Sequence, residues 1–277
     1  MKKINVRLNH FLKDVLKLIR KPVMSVLPGQ LSFFLLLSII PVILIIGIIL
    51  SFIPVSPNSL VYFINTSLPA NTGNLILPLL FEKGYDYNII ILIVSALLLV
   101  SKGTRSIIVV ASNIYSIKYK LNIKVVIKSF VLAIQLILVI TFLIIFPVMG
   151  TRILHILDNF KVISNLTDDF IRIFNVLKWP ITIFIIFINL KIIYRYSPNQ
   201  NIPKESVTRG SLFTAVLWSL STWIYSFYIT HLAKYNVFYG RASNIIVLML
   251  WIYLISYIFV LGMSINASYL KNQNDLQ

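Results

Sequence analysis

Lys102 and Arg105 stand three residues apart inside an otherwise apolar stretch, and the chemistry this pair offers is anion recognition. At that spacing two side chains share one face of a helix. Each cation at the centre of a membrane span costs roughly 2.5–3.5 kcal/mol on the insertion scale. A nearby carboxylate would offset that cost. All eight Asp and Glu, however, fall in loops, tails or the N-terminal segment. Two readings stay open. Both side chains snorkel to the membrane surface, or both face a polar cavity and meet an anionic ligand. Ser101 adjoins the pair, and Gly103 between them permits close approach of a neighbouring helix or a headgroup.

A second set of polar groups lies on one stripe of a later apolar segment: Ser211, Ala215, Ser219, Thr222 and Ser226. Small residues let helices approach closely, so packing is the first reading. Hydroxyls of Ser219, Thr222 and Ser226 lining a substrate path are the second.

Catalytic chemistry lacks its usual parts. The three histidines, His10, His155 and His231, lie in distant segments, and there is no cysteine. Asp168-Asp169 is the one adjacent carboxylate pair, and neighbouring aspartates project in different directions on a helix. No H-x-x-x-H, Walker A loop or G-x-S-x-G occurs. The expectation is a non-enzymatic protein with no catalytic residue, no metal and no cofactor.

These residues must be positioned by membrane-spanning elements. The 277 residues are 58% hydrophobic and 12% charged, with a mean hydropathy of +0.89. Soluble domains carry ~25% charge, so this chain cannot cover a soluble surface. Six apolar segments stand near the ~20 residues that cross a bilayer: 31–53, 88–117, 129–150, 173–190, 210–229 and 243–270. Pro41 lies in the first, Pro147 ends the third and Pro180 opens the fourth.

Before the first span, Ile4, Leu8, Phe11, Leu12, Val15 and Ile19 recur at helical steps, with Lys and Arg on the other face. That pattern predicts an amphipathic helix in the headgroup plane, broken by Pro22 and Pro28-Gly29. The organisation expected is an interfacial helix over 1–27, a six-helix domain over 28–270 and a tail over 271–277.

A net charge of +17 would suggest nucleic acid in a soluble protein. Here its distribution points to topology. With the N-terminus inside, sixteen Lys and Arg fall in inner segments and seven in outer ones. The bias predicts both termini in the cytoplasm.

Several stretches, in order over residues 28–270, resemble the YihY/virulence factor BrkB family. These are multi-pass bacterial inner-membrane proteins once labelled ribonuclease BN. The first stretch is 30–41, with Ser38 and Pro41. Next come Ser101-Lys102-Gly103 with Asn113 and Tyr115, then Tyr194-Arg195-Tyr196-Ser197-Pro198-Asn199. Tyr235-Asn236 with Tyr239-Gly240, Trp251, and Gly262 with Asn266 complete the set. Ser264 stands where the family commonly has an acid, and Val100 where many members have tryptophan. The resemblance implies an envelope protein, and some members are linked to export or flipping of lipid-like molecules. It also implies that the ribonuclease label is a misassignment.

The combined expectation is an all-α bundle of six transmembrane helices in the bacterial cytoplasmic membrane. Its expected work is transport or flipping of an anionic amphiphile, with anionic membrane lipids as partners and no nucleic acid. The rivals are a non-transporting membrane scaffold and a membrane-associated ribonuclease. Residues 194–199 and 235–240 are expected to act as structural clamps at opposite membrane faces.

Overall fold

A computed structural model describes residues 15–52, 89–159, 164–200, 202–231 and 243–274, with isolated positions between 58 and 77. Six long helices carry the fold: α1 Val23–Ser51, α2 Ile89–Ile114, α3 Ile123–Asn159, α4 Ser164–Tyr196, α5 Thr208–His231 and α6 Ser243–Asn274. All six are long and apolar enough to cross a membrane. No strand occurs among the described residues. Ile- and Val-rich runs are mediocre helix formers in water. In hydrocarbon the backbone has no other partner than itself, so the helix wins.

The ends are set by local chemistry. At the C-terminus of α2, Ile117 N–H donates to Ser112 O at 2.8 Å and Ser116 N–H to Asn113 O at 3.2 Å. Ser116 adopts φ 56°, the left-handed conformation that this type of stop requires. Asn122 then caps α3, its Oδ1 accepting from Val125 N–H at 2.9 Å. One expectation is corrected at the start of α1. The helix begins after Pro22 and continues through Pro28 and Gly29, so the 27/28 boundary falls inside it. Pro28 removes one backbone donor, while Leu27, Pro28 and Leu31 are buried and hold the turn. At the other end α6 runs on to Asn274, past the expected tail boundary.

Each helix packs on its sequence neighbours, and α6 closes on α1, making a ring. Call the end where α1 starts and α6 finishes the terminal end. There one apolar core draws on all six helices, including Leu31, Ile108, Val125, Tyr194, Ala215 and Met263. A second core lies in the far half and joins α1 (Ile43, Ile46, Leu50), α2 (Ala96, Val100) and α3 (Ala133, Ile137). Among the described residues none from the far halves of α4, α5 and α6 enters it.

Of the expected interfacial helix, residues 1–14 lie outside the described residues. Val15 and Leu18 bury into the terminal core, while Leu16 and Ile19 stay exposed beside Lys17, Arg20 and Lys21. This segment therefore has one apolar edge on protein and another free.

Candidate functional site

Two contacts fix the rotation of α2. A Cβ at Gly103 would collide with Ser38 Oγ of α1 and lie 3.2 Å from Phe34 O, so glycine alone allows this approach. One residue on, Thr104 Oγ1 donates to Ser129 O of α3 at 2.6 Å. Successive helical residues turn by about 100°. With Gly103 toward α1 and Thr104 toward α3, Lys102 must point away from both. It is exposed, on the same side as Ile91, Val94, Leu98 and Leu99. Arg105 sits at the edge of that side, half-buried, with its Nε buried and without a hydrogen-bond partner.

Lys102 lies midway along α2, thirteen residues from Ile89 and twelve from Ile114. Among the described residues no hydrogen bond or ion pair reaches either cation. The acid whose side chain is described is Glu205, exposed in the α4–α5 connection. Among the described residues the pair therefore meets no counter-ion midway along α2, on a face that neither neighbouring helix covers.

The hydroxyls expected near such a site are placed elsewhere. Ser101 is buried and donates to Leu98 O at 2.8 Å within its own helix. Ser211 donates to Val207 O at 2.6 Å and Ser219 to Ala215 O at 3.1 Å. Thr222 Oγ1 accepts from Trp251 Nε1 at 3.3 Å, and Ser226 is half-buried. In the ring α5 neighbours α4 and α6, so these groups do not join Lys102 and Arg105.

What the structure does bring together is a three-helix joint at the terminal end. Tyr194, fully buried on α4, donates from Oη to Phe259 O at 2.8 Å and meets Thr214 Oγ1 at 2.8 Å. Gly210 N–H donates to Asn266 Oδ1 at 2.7 Å, satisfying a first-turn donor of α5. A Cβ on Gly262 would meet Thr214 Oγ1, and would lie 2.9 Å from both Gly210 O and Tyr194 Oη. Further out, Trp218 Nε1 donates to Ile255 O and Tyr225 Oη to Val247 O, each at 2.8 Å. These bonds pin α5 to α6 where water cannot compete.

The 194–199 stretch divides its labour. Arg195 stacks on the Tyr196 ring at 5.6 Å, while Pro198 is buried and Asn199 exposed. Lys128 of α3 donates from Nζ to Pro198 O at 2.7 Å and to Asn199 Oδ1 at 3.2 Å. Asn113 is exposed and donates to Val109 O at 2.9 Å. Burial pushes the Tyr115 phenol above the ordinary tyrosine value, and its Oη has no partner. Pro41 is buried within α1. Ser264 is buried, donating to Val260 O at 2.9 Å beside Met24 Sδ at 3.9 Å. Residues 235–240 lie outside the described residues.

The family model for virulence factor BrkB matches residues 18–277. The chain belongs to that family. One relative of this BrkB chain is the putative ribonuclease-like protein YfkH of Bacillus subtilis (strain 168). It is 26% identical over 243 residues, covering 86% of this chain and 87% of the relative. The UPF0761 membrane protein IL2447 of Idiomarina loihiensis is 28% identical over 107 residues, 38% of each chain. A UPF0761 membrane protein of Vibrio atlanticus is 34% identical over 116 residues, 42% of this chain and 34% of the relative. No solved structure matches. This chain is therefore a membrane protein of the BrkB/UPF0761 family. Among its described residues no three His, Cys, Asp or Glu gather as metal ligands.

Sequence reasoning missed Lys128, Thr104, Gly210 and Thr214 in this BrkB chain. A lysine at a span end reads as a topology signal, and nothing local shows that it reaches across to a carbonyl seventy residues on. The Lys128 tie gives a graded expectation. Lys128→Met is expected to lower thermal stability in detergent more than Asn199→Ala, because it loses both acceptors. At about 1.5–3 kcal/mol for hydrogen bonds to a charged group, the first change should shift melting by several degrees. Equal melting of the two variants would remove the Pro198 carbonyl from the account.

Proposed function

We propose that this BrkB-family protein moves or flips an anionic amphiphile, a membrane lipid being the simplest, in the bacterial cytoplasmic membrane. One observation carries the reading: Lys102 and Arg105 lie at mid-span without a counter-ion among the described residues, on a side that α1 and α3 leave open. A phosphate or carboxylate supplies the missing charge, with the guanidinium able to grip it by two bonds. Snorkelling toward the cytoplasmic surface works against the geometry. Cα–Cβ bonds lean toward a helix N-terminus, and with both termini inside, the N-terminus of α2 is outside. The test is anionic-lipid binding and movement by Lys102→Gln and Arg105→Gln proteins in reconstituted vesicles.

The packed core of the terminal half favours one rival, a scaffold that transports nothing. The same variants separate the two, because a scaffold has no use for the pair beyond topology.

The orientation has its own test in this cysteine-free chain. Ser206 is fully buried and makes a poor labelling site, whereas Lys120, Lys204 and His231 are exposed. In intact cells an impermeant thiol reagent is expected to label His231→Cys and to spare Lys120→Cys and Lys204→Cys. The reverse pattern would invert the topology.

A further inference from the structure

The stripe of α6 that meets α1 changes character along its length. At the terminal end Ser264 is buried against Met24 of α1. Following helical steps of seven, four and four toward the far end, the same stripe passes Tyr257, Tyr253 and Met249. Tyr257 is half-buried, Tyr253 is 43% exposed and Met249 47% exposed. α1 explains the change. Its first half lies on α6, but its second half enters the far core with α2 and α3. The far stripe of α6 is thus exposed, whereas its terminal stripe is covered by α1.

That face is not the plain hydrocarbon surface a lipid-facing helix presents. Tyr257 lies fourteen residues from Ser243 and seventeen from Asn274, so it stands near the middle of the span, ~21 Å from the far end. Its ring and that of Tyr253 are 6.4 Å apart. Neither hydroxyl has a hydrogen-bond partner among the described residues, and neither is sealed from its surroundings as Tyr115 Oη is. Ser256, 1% exposed in the same turn, also has an unpartnered Oγ. Tyrosines in membrane helices normally sit at the headgroup level, where the hydroxyl is wet. A bare phenol at mid-depth needs a polar partner beyond the described helices, since leaving it unpaired in hydrocarbon is costly.

We propose that the far halves of α1 and α6 part to form a lateral groove that admits a phospholipid headgroup to mid-membrane depth, where Tyr253 and Tyr257 donate to its oxygens. This deepens the lipid-moving reading by naming where the polar end travels, and its test reads binding alone. The full chain in phosphatidylcholine nanodiscs receives a trace of phosphatidylglycerol carrying a diazirine on its headgroup. Adducts are mapped after illumination. Headgroup adducts are expected on α6 between residues 249 and 257, and about tenfold fewer in the Tyr253→Phe/Tyr257→Phe protein, which keeps both rings. Adducts confined to the helix ends would overturn the proposal, as would equal labelling of the exposed α5 residues Leu220 and Trp223. Protection of the stripe by a second copy of the chain, seen as a disulfide-linked dimer of the Tyr253→Cys protein under mild oxidation, would overturn it too. Failure here with binding still dependent on Lys102 removes the groove alone. Groove adducts with transport indifferent to Lys102 and Arg105 remove the transport reading alone.

Discussion

Reconstituted Lys102→Gln and Arg105→Gln proteins are expected to insert and melt like the parent, yet to bind anionic lipid at least tenfold more weakly each. Removing a mid-span charge eases insertion by roughly 2.5–3.5 kcal/mol, so loss of function through misfolding is not the forecast. Hydrogen bonds to charged groups are worth about 1.5–3 kcal/mol, which is ten- to a hundredfold in affinity. Zwitterionic lipid, offering no net charge, should bind the variants and the parent alike. Arg105→Lys sharpens the test. It keeps the charge but loses the planar fork, so it should recover only part of the binding. If the double Gln protein binds and moves anionic lipid as the parent does, the pair serves topology and the scaffold reading leads.

Gly262→Val is expected to abolish stable assembly, whereas Gly29→Ala, also a change within a helix, should be harmless. A Cβ at Gly262 meets Thr214 Oγ1, Tyr194 Oη and the backbone oxygen of Gly210. A rotamer change can move a hydroxyl but not a carbonyl in the first turn of α5. Helices α5 and α6 would have to separate, breaking the Gly210–Asn266 bond and crowding the buried Tyr194. Overpacking of a close-packed site costs typically 1–3 kcal/mol, more where backbone is the obstacle. At Gly29 nothing lies within 4 Å, so alanine adds only its better helix propensity, about 1 kcal/mol. Melting in detergent, followed by size-exclusion chromatography, reads both. A Gly262→Val protein that melts with the parent would mean that the α5–α6 contact is looser than described.

Hydropathy alone disclosed six spans, because a helix that satisfies its own backbone is what hydrocarbon demands of twenty apolar residues. The segment expected over 210–229 became α5 at Thr208–His231, and that over 243–270 became α6 at Ser243–Asn274. Proline misled at one point. Pro28 was expected to break the chain, but one missing donor near a helix start costs less than the packing of Leu27 and Leu31 returns. The ordered motifs also carried the family, since Tyr194, Gly262 and Asn266 need no geometry to be read in sequence.

Partnership was beyond the sequence. Gly103 permits close approach, yet only the fold shows that Ser38 of α1, sixty-five positions earlier in the chain, fills the space. Ser101 and Lys102 are adjacent in sequence, but the 100° helical turn buries one and exposes the other. The stripe on α5 looked like one feature, but Ser211 and Ser219 turn back to carbonyls of their own helix while Thr222 meets Trp251 of α6. That the far half of α1 joins α2 and α3 in a second core, while its first half joins all six helices, follows from how the apolar stripes share two cores. Each stripe in isolation is uniformly greasy, so composition fixes membership of the membrane, while the choice of neighbour rests on shape and on a few buried hydrogen bonds.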